Sequence, residues 1–153
     1  MKEKNKSSNW YIAATHYITA GFAIPFIIYL IATVLLRALS LSFLSNILLL
    51  TLFLLIVRIL AIWLGTMYSA NYLGKAYIIE DKNKITNLAT IYFVVLNLGY
   101  LLFQISSSRG IIGGALSGTD IAYSFLSFVI AAVLFYVFSK KYVKNSEAES
   151  QIR

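Results

Sequence analysis

After a short basic tail, the chain reads SSNWYIAATHYITAGFAIPFIIYLIATVLL over Ser7–Leu36, with no Asp, Glu, Lys or Arg. Three more stretches share this property, namely Ala38–Val57, Ile85–Ser108 and Ile121–Ser139. The hydrocarbon core of a bilayer is about 30 Å thick and takes roughly 20 apolar residues of helix to cross. All four stretches reach about that length, so the sequence predicts four membrane-spanning helices.

The composition agrees with a membrane protein. The 153 residues are 59% hydrophobic and only 12% charged, whereas soluble domains contain about 25% charged residues. We predict spans at about 10–36, 46–67, 87–105 and 120–139, which leave too little polar chain for a second domain. The sequence therefore predicts one all-α membrane domain over residues 1–153, a four-helix bundle in antiparallel up-down order.

The basic residues fall mostly on one side of the predicted bundle. With four spans, the N-terminal tail, the middle loop and the C-terminal tail share a side, and they carry Lys2, Lys4, Lys6, Lys75, Lys82, Lys84, Lys140, Lys141, Lys144 and Arg153. The two opposite loops carry only Arg37 and Arg109. Because Lys and Arg are retained on the cytoplasmic side, we expect a cytoplasmic-membrane protein with both termini in the cytoplasm. The net charge of +7 then indicates contact with anionic lipids of the inner leaflet rather than with nucleic acid.

The segments around the spans give weaker signals. Pro25 lies in the middle of the first span and predicts a kink there. Asp81 or Thr86 is expected to cap the third helix. The C-terminal tail, from about Lys140 and including Asn145 and Ser146, has the composition of a disordered segment.

Polar residues recur along one face of each predicted span. A polar side chain is costly in lipid unless it finds a partner, so these faces are predicted to point into the bundle. On the first span the predicted inward face comprises Ile12, His16, Thr19, Ala23, Phe26, Leu30, Thr33 and Arg37. On the fourth it comprises Asp120, Ser124, Ser127, Ala131 and Leu134.

Arg58 is the charged residue inside a span, and its insertion costs roughly 2.5–3.5 kcal/mol at a helix centre. One interpretation is that it reaches toward lipid phosphates and bonds Asn97, a tyrosine or backbone carbonyls. The other is an anionic site for a lipid headgroup, a solute or an acidic residue of a partner. The candidate intramembrane polar or anion site comprises Arg58, Asn97, His16, Thr51 and Thr90.

Two further candidates lie at the predicted outer side. Asp120 is expected either to pair with Arg37 or Arg109, or simply to cap its own helix. Three glycines at intervals of four suggest either a helix-packing face or a mildly apolar loop, and a re-entrant segment is a third possibility. These glycines are Gly110, Gly114 and Gly118.

The sequence speaks against an enzyme. It has no cysteine and a single histidine, so thiol chemistry and the usual zinc and haem ligand sets are not expected. No carboxylate lies inside the four uncharged stretches, which speaks against proton-coupled antiport. We therefore predict no catalytic, cofactor-binding or metal-binding residues.

The leading functional expectation is a small non-enzymatic multi-pass membrane protein, an accessory, assembly or immunity-type component that acts through helix packing. A homo-oligomer or a membrane-protein partner would fit this role. One alternative is a small anion-preferring channel or transporter subunit with Arg58 in the path, beside Thr51, Asn97, Ser124 and Ser127. A second alternative is a protein that binds anionic lipids through Arg58 and the basic inner rim.

Overall fold

A computed structural model of the chain describes residues 7–38, 47–108 and 118–146, whose regular secondary structure is helical. A first long helix has three parts, namely α1 (Asn9–Tyr17), a π-helical segment (Ile18–Ala23) and α2 (Ile24–Ala38). The helices α3 (Ile47–Ala76), α4 (Lys82–Ser108) and α5 (Gly118–Tyr142) follow. The prediction of an all-α chain is confirmed over the described residues.

Within the described residues, four helices are long and apolar enough to cross a membrane, which confirms the predicted number of such helices. They cover Asn9–Arg37, Leu49–Ala76, Lys82–Ser106 and Ile121–Tyr142. The third begins earlier than the predicted residue 87, because Asp81 caps it. The Asp81 carboxylate accepts a hydrogen bond from the backbone N–H of Lys84 at 3.0 Å. Thr86, the other predicted cap, instead lies inside α4 with a buried hydroxyl that has no partner in the described residues.

The buried core concentrates at one end of the bundle. It joins residues of α1, α3, α4 and α5 with the connection between α3 and α4 and with the chain after α5. Its largest fully buried members are Phe135, Ile12, Leu73, Ile79 and Ile85. Lipid gives helices no hydrophobic reason to associate, so close packing and internal hydrogen bonds must hold this end together.

The opposite end of the bundle is packed less completely. The helix α1 contacts α4, and α5 contacts both α3 and α4. In contrast, α2 packs mainly against α3 within the described residues, and it has no comparable contact with α4. Among the described residues, the bundle interior is therefore sealed at the α1 end and less closely packed beside α2.

The π-helical segment explains why the predicted inward face of the first span is only half right. Ile12 and His16 are buried as predicted, but beyond them the buried positions are Ala20, Pro25, Ala32 and Leu36. A π-turn closes with an i→i+5 bond and so takes up one extra residue. The extra residue displaces the inward face, and Phe26 and Leu30 are exposed instead. The π-helical segment ends two residues before Pro25, and the kink predicted at this proline stays a prediction.

The start of the C-terminal tail is ordered, contrary to the prediction. The backbone N–H of Ser146 donates to the carbonyl of Ile79 at 2.9 Å, and the Ser146 hydroxyl accepts from the Ile79 N–H at 2.8 Å. The Asn145 side-chain carbonyl accepts from the N–H of Lys82 at 2.8 Å. We call these three bonds the C-terminal clasp. It forms because the turn between α3 and α4 leaves backbone groups that need partners.

Candidate functional site

The Arg58 side chain reaches from α3 toward α5. Its Nη1 donates a hydrogen bond to the hydroxyl of Ser127 at 2.6 Å, and the arginine is half-buried. Ser127 itself is buried on α5. A serine is a neutral acceptor, so this contact orients the guanidinium but leaves its charge uncompensated.

Among the described residues, the charge of Arg58 has no carboxylate beside it, because none of those that line the cavities around the guanidinium is acidic. In the described part of the chain, Ser127 is its hydrogen-bond acceptor. A guanidinium carries five N–H donors, so most of its donors are open to the surrounding space. A cation of this kind inside a span is a binding-site candidate by default.

Two cavities meet at Arg58. The larger, of about 250 Å³, is lined from α3, α4 and α5, and its polar lining residues are Arg58, Asn97, Tyr100, Gln104, Tyr123, Ser124 and Ser127. The smaller, of about 100 Å³, lies between α2, α3 and α4. Pro25, Ile62 and Phe93 make its wall more apolar. Arg58 and Asn97 line both cavities, so the arginine lies at their junction.

Several hydrogen-bond donors of the larger cavity are uncommitted or weakly committed. The Tyr100 hydroxyl accepts from Gln104 Nε2 at 2.8 Å, so its own proton remains to be donated. The Tyr123 hydroxyl lies 3.5 Å from the carbonyl of Thr51, which is a long contact. Asn97 uses one amide N–H on the carbonyl of Phe93, at 2.8 Å, and keeps the other.

His16 belongs to a separate cluster at the sealed end. Its Nδ1 lies 2.9 Å from the Ser69 hydroxyl and its Nε2 lies 2.9 Å from the Ser139 hydroxyl. The ring is fully buried and its centroid is 5.7 Å from that of Phe135. A neutral imidazole has one donor and one acceptor, and both are used here. We call this the His16 bridge, and its role is to join α1, α3 and α5.

The predicted polar set is therefore divided. Arg58 and Asn97 share a cavity, whereas His16 lies in the bridge. Thr51 does not line the larger cavity; its backbone carbonyl lies 3.5 Å from the hydroxyl of Tyr123, which does. Thr90 donates to the carbonyl of Thr86 within its own helix at 2.8 Å. Such an i−4 bond satisfies the hydroxyl locally and removes the need for a partner across the bundle.

The sequence prediction missed the partners of the two central residues. Ser127 had been predicted on the inward face, but not as the acceptor of Arg58, and Ser69 and Ser139 were missed altogether. A signal was present on α5, since four buried residues recur every fourth position as Ser127, Ala131, Phe135 and Ser139. Extending the predicted face in steps of four would have reached Ser139 and replaced Leu134 by Phe135.

The outer-side candidates lie largely outside the described residues. Arg37 is exposed in the last turn of α2, but the side chain of Asp120 is not described, so the ion pair stays a prediction. Gly110 and Gly114 also lie outside the described residues. Gly118 begins α5, is exposed, and has open space where a Cβ would lie. Its described surroundings therefore include no close helix contact at this glycine.

The glycine that does carry a close helix contact is Gly65. A Cβ added there would lie 2.6 Å from the backbone carbonyl oxygen of Ala20 in the π-helical segment. Pro25, five residues after Ala20, has no N–H to give to that carbonyl. The glycine therefore lets α3 approach the distorted turn of the first helix.

No protein-family model matches this chain, and neither a curated protein nor a solved structure is significantly similar to it. The described residues also contain no group of three or more His, Cys, Asp or Glu that could hold a metal ion. The fold and the site alone thus define the class: an all-helical protein with four membrane-length helices and a polar cavity around an arginine within a span.

Proposed function

We propose that this chain is a non-enzymatic multi-pass protein of the cytoplasmic membrane that binds an anionic ligand at Arg58. The observation that carries the proposal is the half-buried guanidinium, which is bonded to the neutral Ser127 and lines a polar cavity with no carboxylate among its described lining residues. A bound anion would compensate the charge and use the open N–H donors. The accessory, assembly or immunity role through helix packing stays a prediction. It is broader than ligand binding and compatible with it.

The proposed topology is an up-down antiparallel bundle with cytoplasmic termini. Cross-helix contacts support this order. His16 joins Ser69 of α3 to Ser139 of α5, and Arg58 of α3 contacts Ser127 of α5. On both helices the second contact lies earlier in the sequence than the first, as expected of two helices that run in the same direction. The bias of Lys and Arg toward the tails and the middle loop supports the orientation. Reporter fusions at the two ends should both report the cytoplasm; opposite compartments would contradict the proposal.

A binding site is better supported than a channel. Between the Arg58 cavity and the other end of the bundle lies the sealed core, where Phe93 and Phe135 stack with centroids 4.6 Å apart. His16 is fully buried beside Phe135, and the close contact of Gly65 with Ala20 lies in the same region. A blind cavity of this kind suits a ligand that is held rather than conducted.

The test is ligand-dependent stability of the purified full chain in zwitterionic nanodiscs. Phosphatidylglycerol and inorganic phosphate are the two anionic probes, and thermal unfolding is the measurement. We expect at least one probe to raise the melting temperature of the wild type but not of Arg58→Gln. The control is Arg37→Gln, which removes an exposed arginine outside the two cavities and should respond like the wild type. Equal shifts in wild type and Arg58→Gln would refute binding at Arg58.

The purified chain reconstituted into liposomes tests the channel alternative. With a blind cavity, we expect no anion flux above that of empty vesicles. Flux that Arg58→Gln abolishes would replace the binding proposal by the channel. Co-purification of a stoichiometric membrane partner would support the accessory role, and it leaves the ligand test unchanged.

A further inference from the structure

The larger cavity has a directional arrangement of polar groups. From Arg58 they continue along α5 through Ser127, Ser124 and Tyr123, toward the beginning of that helix. On α4 they continue through Asn97, Tyr100 and Gln104, toward its end. These two rows, which we call the polar ladder, therefore lead from the arginine to the end of the bundle opposite the sealed core.

The ladder supplies hydrogen-bond donors beyond those of Arg58. Within the described residues, the proton of the Tyr100 hydroxyl has no acceptor, and that of the Tyr123 hydroxyl has only a long contact. The Tyr100 hydroxyl is also polarised by the bond from Gln104, which strengthens its own donation. Several donors that line one cavity suit a ligand with several acceptor oxygens.

We propose that the ligand of the Arg58 cavity is a phosphate-type oxyanion, which reaches the arginine along the polar ladder. This inference rests on the proposed anion-binding function and narrows its ligand class. A guanidinium binds phosphate through two parallel N–H donors, and the tyrosine hydroxyls and the Asn97 amide bind the remaining oxygens. A halide, which is spherical and has no fixed acceptor directions, would use the charge but not the ladder.

Two kinds of ligand carry such an oxyanion, namely a free phosphate and a lipid headgroup. A free phosphate would enter the ladder from the end of the bundle that is farther from the sealed core. A lipid headgroup would occupy the same cavity, with its chains leaving through the smaller apolar cavity between α2 and α4, where α2 has no comparable contact with α4 in the described residues. Both sources require Arg58 and the tyrosine hydroxyls, so the ligand class can be tested before the source is known.

The test compares probes and variants of the full chain in zwitterionic nanodiscs. The probes are inorganic phosphate, sulfate, chloride and phosphatidylglycerol, and binding is measured by titration of thermal stability. The variants Tyr100→Phe and Tyr123→Phe each remove one ladder hydroxyl and leave the aromatic ring in place. We expect each to weaken oxyanion binding by about threefold to tenfold, as the loss of one hydrogen bond does. Their effect on any chloride response should be within error.

Matched controls come from the same helices. Tyr92→Phe on α4 and Tyr136→Phe on α5 remove hydroxyls that line neither cavity, and they should bind the oxyanions like the wild type. If a ladder variant fails to fold, the relative affinities of the wild type for oxyanions and for chloride still test the ligand class. Chloride as effective as phosphate and sulfate would overturn the inference.

The outcomes separate the two proposals. Suppose that Arg58→Gln abolishes binding, that the tyrosine variants bind like the wild type, and that oxyanions are not preferred to chloride. The ladder inference then fails and the anion site stands. If no probe binds in an Arg58-dependent way, both fail. Saturation by phosphatidylglycerol that inorganic phosphate cannot displace identifies the lipid source, and tight binding of inorganic phosphate identifies the free source; either result upholds the oxyanion class.

Discussion

His16 and Ser139 are 123 positions apart in the chain, yet Nε2 of the histidine lies 2.9 Å from Oγ of the serine. The other ring nitrogen contacts Ser69, so one side chain links three helices within the sealed core. Arg58 and Ser127 make the comparable contact in the open half of the bundle. One contact is fully enclosed and the other lines a cavity, which is why we assign stability to the first and binding to the second.

The His16 bridge should be a main source of stability. His16→Ala leaves a void and two serine hydroxyls without their partner, so we expect a loss of about 2 kcal/mol in the free energy of unfolding. A double-mutant cycle with Ser139→Ala should give a coupling energy of about 1 kcal/mol, within the range for hydrogen bonds between membrane helices. Reversible unfolding in mixed detergent micelles provides the measurement. Additive single losses would show that the histidine and serine do not interact.

The close contact at Gly65 should not tolerate a side chain. Gly65→Ala would bring a methyl group within 2.6 Å of a backbone oxygen, which no side-chain rotation can relieve. We expect it to lower the free energy of unfolding by about 1–3 kcal/mol, as overpacking does. The control is Gly99→Ala on α4, where nothing lies within 4 Å of the added atom. That change should be neutral or stabilising by up to about 1 kcal/mol. Similar losses from both substitutions would mean that the Gly65 contact has no special role.

Ser127 offers a test of how the arginine is held. Ser127→Ala removes the acceptor of Arg58 without adding volume, so the ligand-free protein should lose about 1 kcal/mol of stability. An anion would then replace the missing acceptor, and stabilisation by phosphatidylglycerol or phosphate should be larger than in the wild type. Ser124→Ala, which changes a serine in the same cavity without a bond to Arg58 in the described residues, should show no such gain. A ligand response that falls in Ser127→Ala would instead make the serine hydroxyl part of the ligand contact.

The C-terminal clasp should be visible in hydrogen exchange. Asn145→Ala removes the acceptor of the Lys82 N–H, so exchange at that amide should become faster by about fivefold to thirtyfold, corresponding to the loss of one hydrogen bond. The amide of Ile79 should change less, because its acceptor is Ser146. Asn83→Ala, at an exposed position next to Lys82, provides the control. Unchanged exchange at Lys82 in Asn145→Ala would show that this bond does not form in solution.

Much of the fold follows from local properties of the sequence. Charge-free stretches of span length predicted the number of the helices and most of their limits, because the cost of burying charge in lipid acts on each segment independently. The second helix is the exception, since it extends to Ala76, beyond the predicted residue 67. The cap at Asp81 is also local and lies where it is predicted, whereas the kink at Pro25 stays a prediction. The position of Arg58 was likewise visible, since a single charge in an apolar stretch needs no tertiary information to be noticed.

Which residues meet was decided by the tertiary structure. The π-turn takes up an extra residue and displaces the inward face of the first span, which a regular helical period could not anticipate. His16 was grouped with Arg58 because both are polar, but the helices place them in different layers with different partners. A sequence specifies the solvent and the period of each helix on its own, whereas partners depend on the relative rotation and height of several helices. Those quantities arise only when the helices pack together.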